Sequence, residues 1–540
     1  MSTSPLPAGA DLSPIAPPIT ALLEAARRSA LILHRPYPPV DLPPTRSRVG
    51  GLPNLPESTP WPWPPGTNPG PVTRPLHFIA QIDLAELPQV ELPAAQPRLP
   101  AEGMLFFFID QAKETHWGDF LPSQVGRVIY APHVPADQPE RQPPGELPDI
   151  GESRNWSDAR ARLPGEAGAR VFPSWPLVGL PIDTWPPAQA FHGVRRTPRH
   201  PLHALVKAVD ALTPDANSNS NPNPPPNGKR QGAGGDTAHL SPAWKAYDQR
   251  VAALRTATVA AATGLPPHDW DRPLHPYLQE DAPTVLAPPL APLDADSPDG
   301  PEAAGAVFPE VGVLMQSIAR MVLLTIEEPT CEDVPNRSAE SLAEVKRAAR
   351  AWIARARQIG LDAPVPVADA RAMVGWLDGI ADSDPAPDYL RHILRIACWK
   401  AIRSAIVHAA ASPAAARLIP ARYYELMRNH FSALYFEDAS IEQMLGHPPR
   451  LAQLDGHRHP DCHPKDAICL LHLWSDHTLG LDFDVYGQAV FWIARGDLAA
   501  GRFDAAVLEM IARDDDRETL VRAMHARPGT VGPETAGAPA

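Results

Sequence analysis

The chain has 540 residues, 70 of them Pro, more than twice the usual share of about 5%. That density excludes one continuous helical bundle or coiled coil, because Pro inside a helix costs about 3 kcal/mol and also restricts the residue before it. Hydrophobic residues at 44%, charged residues at 20% and 13 Trp still supply enough apolar material for real cores, and a net charge of −14 argues against broad nucleic-acid or anionic-membrane binding.

Residues 1–18 are rich in Ser, Pro and Ala without a period and are expected to be a disordered lead-in. From Ile19 to Leu33 apolar residues recur at helical spacing, which predicts a short amphipathic helix ending before His34-Arg35-Pro36. Residues 75–84 (PLHFIAQIDL), 103–110 (GMLFFFID) and 126–130 (GRVIY) are strand-length, aromatic or branched, and bounded by turn residues. They place a first β half over 19–200. Residues 201–309 read as low-complexity linkers, 213–240 and 281–307, around one helix marked by Trp244, Tyr247, Val251, Leu254 and Ala257. A helical insertion follows over 310–440, with helices expected at 310–327, 339–359, 366–380 and 388–410, the last central to the bundle. The β texture returns over 441–515, with strands at 467–474 and 487–494 and a short helix from Phe503 to Ala512, before a tail at 516–540. The expected fold class is α+β: a mainly antiparallel β core built from two similar halves, with a largely α-helical insertion and Pro-rich linkers.

The two β regions echo one another. Gly51-Leu52-Pro53 precedes one strand and then a Gly-led aromatic strand, and Gly446-His447-Pro448 does the same in the second region. This order of parts fits either a duplicated β unit or ordinary strand grammar.

Four Cys, at 331, 398, 462 and 469, are too few for a disulfide framework and fit a reducing compartment. The N-terminus lacks the basic start and apolar core of a signal peptide, and no stretch approaches the ~18 apolar residues of a membrane span, so a cytoplasmic location is expected. No P-loop, dinucleotide turn or nucleophile elbow is present, which lowers the odds of nucleotide, NAD or hydrolase chemistry.

Candidate site residues are few. Gln81 and Asp83 alternate with Ile82 and share one strand face, where they either tie the strand to a loop or line a groove. Trp61 and Trp63 alternate with Pro in a rigid segment that either caps the sheet or contacts a partner. His457, His459, Cys462, His463 and His472 are residue types that Zn²⁺ prefers, with Asp461 or Asp476 nearby, but the second half of a zinc-finger pattern is missing, and a solvated His-rich loop is the plainer reading. Asp482 and Asp484 form a further carboxylate pair that reads more simply as a solvated edge.

The string Ser47-Arg48-Val49-Gly50-Gly51-Leu52-Pro53, followed by Leu55-Pro56, Trp61-Pro62, Ala80-Gln81-Ile82-Asp83-Leu84 and Gly103 to Asp110, resembles the YwqG-like family, a bacterial domain family of unknown function. Met444-Leu445-Gly446-His447-Pro448, Leu470 through Asp476 and Gly496-Asp497-Leu498 resemble its second half, and together the match covers roughly 20–135 and 440–510. The resemblance implies a mainly β fold, a bacterial cytosolic setting and no agreed activity. Two departures stand out: His472-Leu473-Trp474 where the family repeats Gln-x-Asp, and Tyr486-Gly487-Gln488 where it has Trp-Gly-Asp. The function expected is a non-enzymatic module with no cofactor, whose groove between halves engages a protein or peptide, with Asp476 as a further binding candidate. The alternative is a Zn-dependent hydrolase built on the 457–477 segment. Neither reading involves nucleic acid or membrane.

Overall fold

The computed structural model describes residues 17–42, 44–63, 74–90, 97–111, 126–148, 150, 170–187, 203–211, 242–264, 307–327, 339–382, 387–436, 442–447, 467–476, 478–481, 483 and 488–511. The His-rich residues His457, His459, Cys462 and His463, the pair Asp482/Asp484 and the expected N-terminal lead-in up to residue 16 lie outside them.

Two antiparallel sheets form the β core. The first contains β2 (Arg48–Val49), β3 (His77–Asp83), β4 (Met104–Ile109), β5 (Gly126–Ala131) and β6 (Trp175–Pro176), in the order β5-β4-β3-β2-β6. The second contains β1 (Arg28–His34), β7 (Val178–Thr184), β8 (Gln443–Leu445), β9 (Ala467–Trp474), β10 (Gln488–Ala494) and β11 (Val507–Ile511), in the order β11-β10-β9-β8-β1-β7. Their inner faces pack together: the rings of Phe107 and Phe491 meet edge to face at 5.1 Å, and Gly126 is so close to Leu508 and Phe491 that a Cβ would lie 2.7 Å from the leucine.

The echo between the halves is structural. Each half runs a short strand, a tight turn and then a meander of three strands. The turn after β2 puts Gly50 and Gly51 at φ 65° and 71°, and the turn after β8 puts Leu445 and Gly446 at 63° and 64°. Aligned on that turn, Arg48 corresponds to Gln443, and each side chain donates to the carbonyl four residues on, Arg48 to Leu52 and Gln443 to His447 at 3.0 Å. Arg48 faces Gln81 across the ladder as Gln443 faces His472. A bulge falls at Ile79 and at Leu470, two residues before Gln81 and two before His472. Five coincidences in one register are more than strand grammar produces.

Three expectations need correction. The predicted helix 19–33 stops at Ala26 as α1 (Pro17–Ala26), and residues 28–34 are β1, in the middle of the second sheet. The run Ala30 to Leu33 is apolar without a break, which periodicity cannot assign to helix or strand, and four buried positions in a row suit a strand covered on both faces. Among the described residues of 201–309 there are two helices, α2 (His203–Asp210) and α3 (Pro242–Thr263), where one was expected; α2 is a short element whose Leu205, Val206 and Val209 pack with Ile19, Trp185 and Trp244 in a small second core. In place of the helix expected from Phe503 to Ala512, the described residues 503–511 form a 3-10 turn (Phe503–Ala505) followed by edge strand β11, whose Leu508 and Glu509 pair with Phe491 and Val490.

The helical insertion contains α4 (Gly312–Glu327), α5 (Ala339–Ile359), α6 (Val367–Asp382), α7 (Pro387–Ala409), α8 (Pro413–Leu418) and α9 (Ala421–Phe436). Both α4 and α7 are central to it: from Val311 to Leu323 every residue but Arg320 is buried, and α7 packs against α4, α6, α8 and α9. The insertion is docked on the sandwich through α9. Phe431 stacks on Tyr37 at 4.8 Å and meets Trp175 at 5.3 Å, and the Tyr37 hydroxyl donates to the Tyr424 carbonyl at 2.6 Å. No helix among the described residues is long and apolar enough to cross a membrane.

Candidate functional site

Gln81 and Asp83 sit on the outer face of β3 and are occupied by structural bonds. Gln81 Nε2 donates to the Arg46 carbonyl at 2.7 Å and to Asn54 Oδ1 at 2.8 Å, while its Oε1 accepts from the Asn54 amide at 2.9 Å. One side chain thereby fastens two loops to the strand. Asp83 accepts from the Ala85 amide at 3.1 Å, closing a 3-10 turn, and pairs with Arg46 at 3.3 Å. Trp61 is buried against Phe108 and donates to the Leu76 carbonyl at 2.8 Å, whereas Trp63, two residues on, stands 42% exposed. The pair is thus split between capping and display.

Asp476 belongs to a buried ionic knot. Arg35, just beyond β1, pairs with Asp476 after β9 and with Glu442 before β8 at 3.4 Å, and its guanidinium lies 5.9 Å from the Trp175 ring centre of the first sheet. Burial by itself raises Asp476, but Arg35 and two bonds from Thr478, at 2.6 and 2.8 Å, outweigh it and hold the carboxyl below the usual range. Burial pushes Glu442 up to about 7, against the pull of Arg35 and with repulsion from Asp476. Two carboxylates on one guanidinium leave a surplus buried charge, and Glu442 is the group that carries it. Burial and then Arg35 lower the neighbouring His34 to about 4.

Of the candidate metal ligands His472 lies among the described residues, where no group of three potential metal ligands occurs. It lies fully buried on the outer face of the second sheet, with Nε2 2.9 Å from Gln488 Oε1. Beside it, Gln443 accepts from Arg255 Nη2 of α3 at 2.7 Å. Burial lowers the Arg255 pKa to about 10, opposed by the nearby Cys469, whose own thiol burial pushes up. Two donors on this face have no partner: Gln488 Nε2 and Trp492 Nε1 are buried and unbonded. Leaving such a group unmet costs about 1–3 kcal/mol, so each calls for an explanation. Arg255, Gln443 and Gln488 were not candidates from the sequence; the folded register of the two halves sets Gln443 against Arg48 and Gln488 against the apolar Met104, while Arg255, on α3, lies outside both halves and no sequence signal marks it.

At the seam between the halves lies a shallow cleft. Leu31 and Leu445 of the second sheet form one wall, and Leu84, Leu87, Val90 and Leu99 of the first half the other, with Gln89 and Arg98 among its polar lining. Its enclosed part is about 20 Å³, room for roughly one water-sized group, which is too little for a cofactor.

A family model described as a domain of unknown function (DUF1963) matches residues 47–204 and 386–510, together more than half of the chain. The two matched segments hold nearly all of both meanders and omit α3 to α6. A comparison with curated proteins gives no match.

Proposed function

We propose, for a chain that belongs to the DUF1963 family of domains of unknown function, that it is a non-enzymatic cytosolic module of the YwqG-like type which binds an extended peptide of another protein at the seam between its halves. The observation that carries this reading is the seam cleft, apolar on both walls, shallow, and with the exposed Arg98 at one side. An apolar cleft whose enclosed part holds one water-sized group takes the methyl tip of an apolar side chain lying across it rather than a cofactor, and a cation beside it favours an acidic neighbour on the bound peptide. The occupation of Gln81, Asp83 and Asp476 by structural bonds supports the same reading, since none is left to act as a positioned acid or base.

The test uses the full chain immobilised and panned with a random-peptide phage library, followed by titration of synthetic winners. The expected result is an enriched apolar-acidic consensus of micromolar affinity that weakens about tenfold or more with Leu99→Asp and with Arg98→Glu, a change of about 1.4 kcal/mol or more. Both residues lie outside the buried core, so the variants should fold. Absence of any consensus, or winners indifferent to both substitutions, contradicts the proposal.

A further inference from the structure

The duplication supplies an internal control. On the outer face of the first sheet Phe78, Met104, Phe106 and Phe108 form an apolar patch capped by Leu55 and Trp61. On the same face of the second sheet Gln488 stands where the first has Met104, and Val490 where it has Phe106; His472 replaces Gln81. Gln488 is fully buried and Trp492 is 7% exposed, yet Gln488 Nε2 and Trp492 Nε1 lack acceptors. Arg255 reaches this face from α3, and among the described residues its hydrogen-bond partner is the neutral Gln443 amide, with no ion pair to a carboxylate. At the positions of Gln488 and Trp492 the first half carries Met104 and Phe108, so the two unmet donors of the second half are not demanded by the fold.

We propose that the outer face of β8, β9 and β10, bounded by Arg255, Gln443, His472, Gln488 and Trp492, is a binding site for a small oxyanion, a carboxylate or a phosphate. A guanidinium without a carboxylate partner and two N–H donors without acceptors together ask for a negatively charged group rich in acceptor oxygens. The Gln488 amide keeps its oxygen on His472 and turns its nitrogen to the ligand; Trp492 offers one donor from a flat apolar wall formed with Val490 and Cys469. This site is on the opposite face of the second sheet from the seam cleft, whose Leu31 belongs to the core between the sheets, so the two stand or fall separately.

The experiment is calorimetric titration of the full chain with inorganic phosphate, a nucleoside monophosphate and succinate, each at constant ionic strength against chloride. Saturable binding of at least one probe with Kd of millimolar or below is expected, weakened about tenfold or more by Arg255→Met and by Gln488→Met, the latter borrowing the residue that the first half carries at that position. Trp492→Phe, which keeps an aromatic side chain but loses the indole N–H, should weaken the same probe severalfold, and an unchanged far-ultraviolet spectrum and melting transition in each variant separate lost binding from misfolding. No saturable binding by any of the three probes, or binding that all three variants leave unchanged, overturns the proposal.

Discussion

Individual residues in this chain carry charge where a simpler fold would carry hydrocarbon, and Glu442 is the sharpest case. Its folded pKa, raised from 4.5 to about 7, means that the folded state holds the proton more tightly than the unfolded chain. The stability it contributes is therefore fully present below about pH 4.5 and is lost as pH rises through 7. His34 and His447 act oppositely: burial lowers them to about 4 and about 3, so their contribution is present above about pH 6.5 and is lost on acidification. Comparing Glu442→Gln with wild type isolates the first term. The variant should melt several degrees higher at pH 8, where it spares an ionised buried carboxylate, and the gap should close near pH 5. A gap that instead widens on acidification would contradict the assignment.

At the scale of elements, the turns after β2 and β8 fix the register of both meanders. Gly50 has φ 65° and a Cβ there would lie 1.9 Å from the Pro173 carbonyl oxygen, so Gly50→Ala should cost roughly 3 kcal/mol or more. Gly501 has φ 69° in open space, and Gly501→Ala should cost only about 1 kcal/mol; urea denaturation of both variants checks the difference. The Gly-Pro-Trp framework of β3, β4, β9 and β10 is legible in the sequence because each strand is a branched or aromatic run between turn residues. β1 is less so, since an apolar run directly after a helical stripe continues either period, and β2, β6 and β8 are only two or three residues long and exist by pairing with distant strands. The loop-tying role of Gln81 is readable as one of two options, but the outer-face set of Arg255, Gln443 and Gln488 is not, because α3 reaches β8 across 188 residues of chain.

Over the whole molecule, the halves are not separable in space as they are in sequence. β1 and β7 flank the first meander in the chain yet complete the second sheet, and one core cluster runs from Ile79 and Phe107 through Leu471 and Phe491 to α4 and α7. Sandwich and insertion should accordingly lose structure together: helix content at 222 nm and near-ultraviolet tryptophan ellipticity are expected to fall at one temperature. Phe431→Ala removes the ring that joins α9 to Tyr37 and Trp175, a change worth about 3–5 kcal/mol, and should lower that shared transition. Two well-separated transitions in the wild-type chain would show that the insertion is an independent unit.

Peptide recognition at the seam is tested by calorimetric titration of a library-selected peptide into wild type, Leu99→Asp and Gln488→Met. Affinity should fall about tenfold or more in Leu99→Asp and stay unchanged in Gln488→Met, whose side chain lies on the far face of the second sheet. Equal affinity in wild type and Leu99→Asp would contradict it.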